Sequence, residues 1–273
     1  MIRFPNCKIN LGLQVLQKRG DGYHNISTLF YPLPLTDALE IVPASDQLGL
    51  QIYNYGLPVH GAPADNLCMK AWHLLKKDFP DLPAVQIHLL KNIPMGAGLG
   101  GGSADGAGML QLLNNKYRLG ITDAQLLHYA LLLGSDCPFF ILNKPCFALG
   151  RGEILTPAKL DLSGYRVLLI HPGIHVNTGW AFARLDESER AAADTVKEAI
   201  AEPISEWKKL LKNDFEQPVF AAHPEIEKIK ENVYAMGAEY ASMTGSGSTV
   251  FGLFKPGILP ATGLPSNRQV MQL

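Results

Sequence analysis

The stretch from 94 to 105 reads Pro-Met-Gly-Ala-Gly-Leu-Gly-Gly-Gly-Ser-Ala-Asp, and it constrains the chain more than any other. Five glycines, Gly96, Gly98, Gly100, Gly101 and Gly102, fall within seven positions. Each raises the entropic cost of ordering the backbone, so a cluster this dense calls for a reason. Glycine admits positive φ, and successive amides can then point into one concavity that takes an anion, phosphate above all. Ser103-Ala104-Asp105-Gly106-Ala107 leads into an apolar, helix-compatible run through Met109, Leu110, Leu112 and Leu113. A phosphate at such a helix start gains N–H donors and the positive end of the helix dipole. A flexible linker would continue in Gly and Ser, and would not be bracketed by Pro94 and an apolar helix. The stretch is therefore expected to be a nucleotide triphosphate loop.

Two familiar phosphate loops fit poorly. Gly96-x-Gly98-x-x-Gly101 has the dinucleotide spacing, and the acidic Asp123 follows at a suitable distance. Yet Lys91-Asn92-Ile93-Pro94 separates the strand-like Val85-Gln86-Ile87-His88-Leu89 from the first glycine, where that fingerprint runs the strand straight into the turn. A Walker loop needs a Lys after its glycines, and none follows. What remains, Pro-x-Gly-x-Gly-Leu-Gly-x-Gly-Ser-Ala, resembles the phosphate loop of the GHMP kinases, the family of galactose, homoserine, mevalonate and phosphomevalonate kinases.

Other segments add to the resemblance. Residues 2–16 are strand-like and contain Cys7-Lys8-Ile9-Asn10-Leu11-Gly12-Leu13. Lys8 and Asn10, two apart on a strand, share a face; spacing alone favours an exposed edge lysine beside an asparagine. Arg19-Gly20-Asp21-Gly22-Tyr23-His24 presents an aromatic and an imidazole on a turn-rich segment, either a functional loop or a hairpin turn with a packed Tyr. Together they resemble the opening of one GHMP branch, approximately A-K-I-N-L-x-L and then R-x-D-G-Y-H, with Cys7 where Ala is usual. Asp136, in Gly134-Ser135-Asp136-Cys137-Pro138-Phe139-Phe140, either caps backbone amides in a surface turn or holds a carboxylate against an apolar wall; the family carries G-x-D-x-P-F-F here. Val176-Asn177-Thr178-Gly179-Trp180-Ala181-Phe182 resembles the family's V-x-T-x-x-x-F, and Met243 to Gly252 resembles its third motif, a second glycine turn between two strands.

Local signals place the elements between the motifs. Asp65 or Asn66 is expected to cap a helix with Leu67, Ala71, Leu74 and Leu75 on one face, stopped by Pro80. Thr122-Asp123-Ala124-Gln125 is a capping box for a helix through Leu133, closed by Gly134. Tyr165 to Ile170 reads as a strand, and residues 188–236 as helices with an apolar stripe of Ile226, Ile229, Val233 and Met236 ending at Gly237. The pair His171 and His175 has metal-ligand spacing only on a helix, which Pro172-Gly173 forbids. The tail from Pro256 has weak periodicity and is left unplaced.

Composition narrows the partners. The 273 residues are 47% hydrophobic and 18% charged, as in an ordinary globular protein, and a net charge of −1 gives no bulk attraction to nucleic acid or anionic membrane. No apolar run reaches about 18 residues, and the N-terminus lacks the pattern of a secretory leader. Cys7, Cys68, Cys137 and Cys146 form no Cys-x-x-Cys pair, so buried thiols in a reducing cytoplasm are expected, in a monomer or weak homodimer.

The resemblance implies an α+β, two-domain fold. Residues 1–152 would form an ATP-binding domain like ribosomal protein S5 domain 2, and 153–273 a ferredoxin-like substrate domain. It implies ATP held by Pro94, Met95, Gly96, Ala97, Gly98, Leu99, Gly100, Gly101, Gly102, Ser103 and Ala104, with Asn66 near the adenine or simply capping its helix. Mg²⁺ would be bound through the phosphates, with no dedicated protein metal site. Asp136 would accept the proton of the acceptor alcohol, and Lys8 would favour the developing alkoxide. Asn10, Tyr23, His24, Thr178 and Phe182 would meet the substrate, although Phe182 is equally well read as core. The implied reaction phosphorylates the 2-hydroxyl of a cytidine-diphospho-methylerythritol in the non-mevalonate isoprenoid route. A homoserine or phosphomevalonate type of kinase would act without the cytidine. A non-catalytic nucleotide-binding regulator would lack Lys8 and Asp136, and both are present.

Overall fold

The computed structural model describes residues 1–44, 49–185, 194–258 and 268–272. In chain order the elements begin β1 (Ile2–Arg3), β2 (Asn6–Lys18), β3 (His24–Thr36), β4 (Ala38–Pro43), β5 (Gln51–Gly56), α1 (Leu67–Asp78), β6 (Val85–Lys91), α2 (Gly101–Tyr117), α3 (Asp123–Leu133) and α4 (Cys137–Leu142). They continue β7 (Cys146–Leu149), β8 (Ile154–Pro157), β9 (Arg166–Ile170), α5 (Thr178–Phe182), α6 (Val196–Ala201), α7 (Ile204–Leu210), α8 (Glu216–Ala222), α9 (Pro224–Ala235), β10 (Tyr240–Met243), β11 (Val250–Phe254) and β12 (Arg268–Gln272). They gather into two compact units that interleave along the chain. One comprises Met1–Cys7, Leu35–Met95 and Gly100–Lys144; the other comprises Lys8–Pro34, Gly96–Leu99 and Pro145–Leu273.

The first unit is built on a sheet of order β1-β4-β6-β5. β4 runs antiparallel to β6 with Ile41 opposite Ile87, and β5 runs parallel to β6 with Ile52 opposite Ile87. Alternation along β6 turns Val85, Ile87 and Leu89 into a core shared with Trp72, Leu75, Met109 and Leu113. Lys91 keeps the same register and is buried. Asn66 caps α1, its Oδ1 accepting from Cys68 N–H at 2.9 Å, and the helix stops at Phe79 before Pro80. The buried face of α1 keeps Ala71 and Leu75 of the predicted one and adds Cys68 and Trp72, while Leu67 packs partly buried beside it. The large indole joins that face, burying its rings while its N–H reaches Pro83 O at 3.0 Å. The predicted capping box of α3 is formed, and Gly134 is its C-cap. Gly134 is extended at φ 172, so that end makes no use of glycine's left-handed freedom.

The second unit holds two sheets, β2-β3-β7-β8 and β10-β11-β9-β12. In the latter β9 is flanked antiparallel by β11 and β12, with Leu168 opposite Gly252 and Val270. Thus part of the unplaced tail is an edge strand. On α9, Ile226 and Val233 are buried and Ile229 and Met236 pack partly buried beside them, as the stripe predicts; Gly237 ends the helix at φ 94. The portion of the predicted helical stretch at 188–193 lies outside the described residues.

Candidate active site

Lys8 and Asn10 sit on β2 and share a face, but they are buried rather than exposed at an edge, at 3% and 2%. Lys8 Nζ donates to Asn10 Oδ1 at 2.6 Å and lies 4.7 Å from the centroid of the Phe30 ring. Asn10 Nδ2 donates to Thr28 Oγ1 at 3.0 Å, and the Asn10 N–H donates to Thr244 Oγ1 at 3.0 Å. A buried lysine among polar partners is an oriented charge, since burying it costs stability unless it is partnered.

The same network holds the first half of the glycine stretch. Lys8 N–H donates to Leu99 O at 3.0 Å, Thr249 N–H to Ala97 O at 3.3 Å, and Thr244 Oγ1 to Gly98 O at 3.2 Å. Gly98 has φ 79, and a Cβ there would lie 1.9 Å from Thr244 O, so only glycine fits. The second glycine motif is therefore the clamp on the first, a partnership that sequence spacing did not reveal. Asn213 fixes that motif in turn, donating to Met243 O at 2.7 Å and Gly245 O at 2.9 Å.

The second half of the stretch begins α2. Gly100, at φ 71, is its N-cap, and no side chain caps it. Ala104 N–H bonds Gly100 O at 2.9 Å, which leaves the amides of Gly101, Gly102 and Ser103 as the helix's N-terminal donors. Nothing lies within 4 Å of a Cβ built on Gly102, so the space in front of the helix start is open there. An uncapped helix start with positive-φ glycine before it is a cradle suited to phosphate oxygens.

Asp136 occupies the N-cap position of α4 but makes no cap hydrogen bond, so the surface-turn capping role is not formed. Next to it, the buried Cys137 thiol is pushed up to about 12 by burial, eased by a hydrogen bond with Ser103 and raised further by the Asp136 charge. Ser103, in the first turn of α2, and Asp136, before α4, thus flank one thiol. Asn66, by contrast, is accounted for as the cap of α1.

Among the candidate substrate residues, His24 stacks on Phe182 with centroids 4.9 Å apart and an interplanar angle of 9°. Phe182 also makes a T-shaped contact with Phe215 at 4.8 Å and packs partly buried against the core, as its core reading predicts. Tyr23 is exposed, not packed, with the Arg151 guanidinium 4.9 Å from its ring centroid. Arg19 and Asp21 pair at 3.1 Å and stiffen that turn, where Tyr23 N–H donates to Asp21 Oδ1 at 3.1 Å. Thr178 Oγ1 lies 2.9 Å from Ser246 Oγ, which ties the start of α5 to the second glycine turn.

Among the described residues no three His, Cys, Asp or Glu side chains are grouped to hold a metal ion. Sequence reasoning also missed a buried ionic cluster at Lys91, Asp37 and Asp105. The inward register of β6 carried its signal, because alternation from Val85 puts Lys91 on the core face.

A glycine cradle running into a helix start, clamped by a second glycine turn on a mixed α and β frame, is the arrangement of a small-molecule kinase. The chain belongs to the GHMP kinases: the family of GHMP kinases N terminal domains matches residues 66–144, and that of GHMP kinases C terminal domains matches residues 195–258. It is 51% identical to the 4-diphosphocytidyl-2-C-methyl-D-erythritol kinase of Bacteroides thetaiotaomicron over 98% of this chain and 97% of the relative. It is 46% identical to the kinase of the same name from Porphyromonas gingivalis, over 93% and 92%. A crystal structure of 4-(cytidine 5'-diphospho)-2C-methyl-D-erythritol kinase superposes with a TM-score of 0.77 at 33% identity, covering 94% of this chain and 91% of that one. Homoserine kinase from Cytophaga hutchinsonii, at 16% identity and a TM-score of 0.63 over 93% and 86%, shares the fold. The chain thus has the two-domain GHMP kinase fold. No helix among the described residues is long and apolar enough to cross a membrane.

Proposed function

We propose that this chain transfers the γ-phosphoryl group of ATP to the 2-hydroxyl of 4-diphosphocytidyl-2-C-methyl-D-erythritol, as a cytoplasmic enzyme of the non-mevalonate route to isoprenoid precursors. The observation that carries the proposal is half-identity, over nearly the whole chain, to kinases of that name. In linear terms, residues 1–152 serve the nucleotide and 153–273 the substrate, with β2 and the turn at 19–24 contributing Lys8, Asn10, Tyr23 and His24.

Phosphoryl transfer demands positioning and charge neutralisation more than covalent work. The amides of Gly96 to Ser103 bind and orient the triphosphate. Mg²⁺ would be held through the phosphate oxygens and, when bound, would supply neutralisation of their charge. Asp136 accepts the proton of the tertiary alcohol, a contribution of about 10²–10⁴ in rate for positioned proton transfer. Lys8, oriented by Asn10, favours the alkoxide that forms. One face of Phe182 lies under His24, so a pyrimidine that takes that face displaces the imidazole. The displaced His24 then serves as a hydrogen-bond partner, and the exposed Tyr23 supplies the second aromatic face.

A coupled assay of ADP release tests this. Turnover is expected with the cytidine substrate and absent with 2-C-methyl-D-erythritol 4-phosphate, homoserine or phosphomevalonate. Equal turnover without the cytidine would refute the substrate assignment.

A further inference from the structure

Three charged side chains are buried together beneath the start of α2. Lys91 at the end of β6, Asp37 between β3 and β4, and Asp105 in α2 are 1%, 0% and 4% exposed. Lys91 Nζ donates to Asp37 Oδ2 and, at 2.7 Å, to Asp105 Oδ2. Asp37 Oδ1 accepts the N–H groups of Asn92 at 2.6 Å and Ile93 at 2.9 Å, and so shapes the bend that carries β6 into Pro94. Asp105 Oδ1 is buried with no hydrogen-bond partner. A Cβ on Gly101 would lie 3.3 Å from Lys91 Nζ and 2.8 Å from Ile93 Cγ2, so the lysine sits close behind the first helical residue.

Two carboxylates and one ammonium leave a net negative charge, sealed from water, directly behind amides suited to a polyanion. Such a charge is costly, and a carboxyl relieves it by binding a proton. Burial, opposed by Lys91 and reinforced by Asp37, pushes Asp105 up to about 7. Lys91 is lowered by burial but raised more strongly by the two carboxylates, so it stays a cation. Cys68 of α1 also lies in the field of Asp105; its thiol is held well above its ordinary range by burial and stays neutral.

We propose that Lys91, Asp37 and Asp105 are positioning residues that hold the start of α2 for the triphosphate, and that nucleotide binding there is coupled to uptake of a proton by the buried Asp105 carboxyl. The proposal rests on the assignment of ATP to this loop. With the pair ionised, its net charge opposes the phosphates; with one proton bound, the triad is neutral and the helix start presents its dipole unopposed. Affinity for ATP therefore falls as pH rises through the titration of Asp105, and by reciprocity bound ATP raises that titration. The proton comes from solvent and returns to it on nucleotide release.

Asp105→Asn tests this, because its amide keeps the shape of a protonated carboxyl and cannot titrate. KM for ATP is measured from pH 6 to 9 in both proteins with Mg²⁺ in excess. The KM of the parent for ATP is expected to rise about tenfold from pH 6 to 9, an ordinary scale for coupling between two sites. The variant is expected to show a flat KM, while the two kcat profiles keep the same shape. Parallel KM profiles would overturn the proposal. Calorimetric titration of the parent with MgATP at pH 7, in two buffers of different ionisation enthalpy, decides independently of the variant. Buffer-dependent heat reporting proton uptake supports the coupling, and buffer-independent heat overturns it. Absence of any MgATP binding would instead remove the nucleotide assignment, and the coupling with it.

Discussion

Gly98 and Gly102 differ in a way that separates folding from binding. Gly98 combines positive φ with a backbone oxygen where its Cβ would be, whereas Gly102 is helical and faces open space. Gly98→Ala is therefore expected to destabilise the protein, by about 1–3 kcal/mol for strain at such a position, in a urea titration. Gly102→Ala is expected to keep or slightly raise stability, since alanine is the better helix residue by about 1 kcal/mol, yet to raise KM for ATP because its methyl stands in the cradle. A Gly102→Ala protein with unchanged KM for ATP would place the phosphates elsewhere. At this scale the sequence was legible where a residue's role follows from its own neighbours. Lys8 and Asn10 share a face because strands alternate, and the glycine density required positive φ. Asp105 and Thr244 were not legible, because each gains its role from partners far along the chain: Lys91 and Asp37 for one, Asn10 and Gly98 for the other.

Elements extend the same contrast. The caps of α1 and α3 were readable because capping chemistry is local: Asn66 binds Cys68 N–H, and Thr122 exchanges bonds with Gln125. Asn66→Asp retains the capping oxygen and is expected to leave both stability and KM for ATP close to those of the parent. Asn66→Ala is expected to cost about 1 kcal/mol in urea unfolding. A large rise in KM for the aspartate variant, with stability kept, would give the side chain a direct role at the adenine. Part of the buried face of α1 escaped because Trp72, and not only its leucines, turns inward. β12 escaped because an edge strand is defined by the partner it joins, here β9, and its own sequence lacks periodicity. Asp136 sits between these cases. Its segment was conspicuous in sequence, but whether it caps α4 is a matter of geometry, and the cap bond is not made.

Across the whole molecule, two units interleave, and a linear boundary cannot describe which contacts each contains. The family resemblance was legible because its motifs are dense and ordered along the chain; the interleaving was not, because strand pairing brings together segments over a hundred residues apart. The Asp105 carboxyl also shapes global stability. Its titration is raised in the folded chain to about 7 from an ordinary value of 3.8, so the folded state binds more protons than the unfolded state in between. Stability is therefore expected to fall as pH rises from about 4 to about 7, and the loss to persist above that. Asp105→Asn removes the penalty. Its advantage over the parent in urea unfolding is expected to be small at pH 4 and on the order of a few kcal/mol at pH 8. An advantage independent of pH would mean that the buried carboxyl does not titrate with folding.

The chemistry turns on Asp136, and steady-state ADP release by Asp136→Asn with the cytidine substrate tests it most directly. A fall in kcat of about 10²–10⁴, with KM for ATP within about twofold of the parent, is the predicted result. Turnover equal to the parent's would contradict the assignment of that carboxylate as the group that takes the proton.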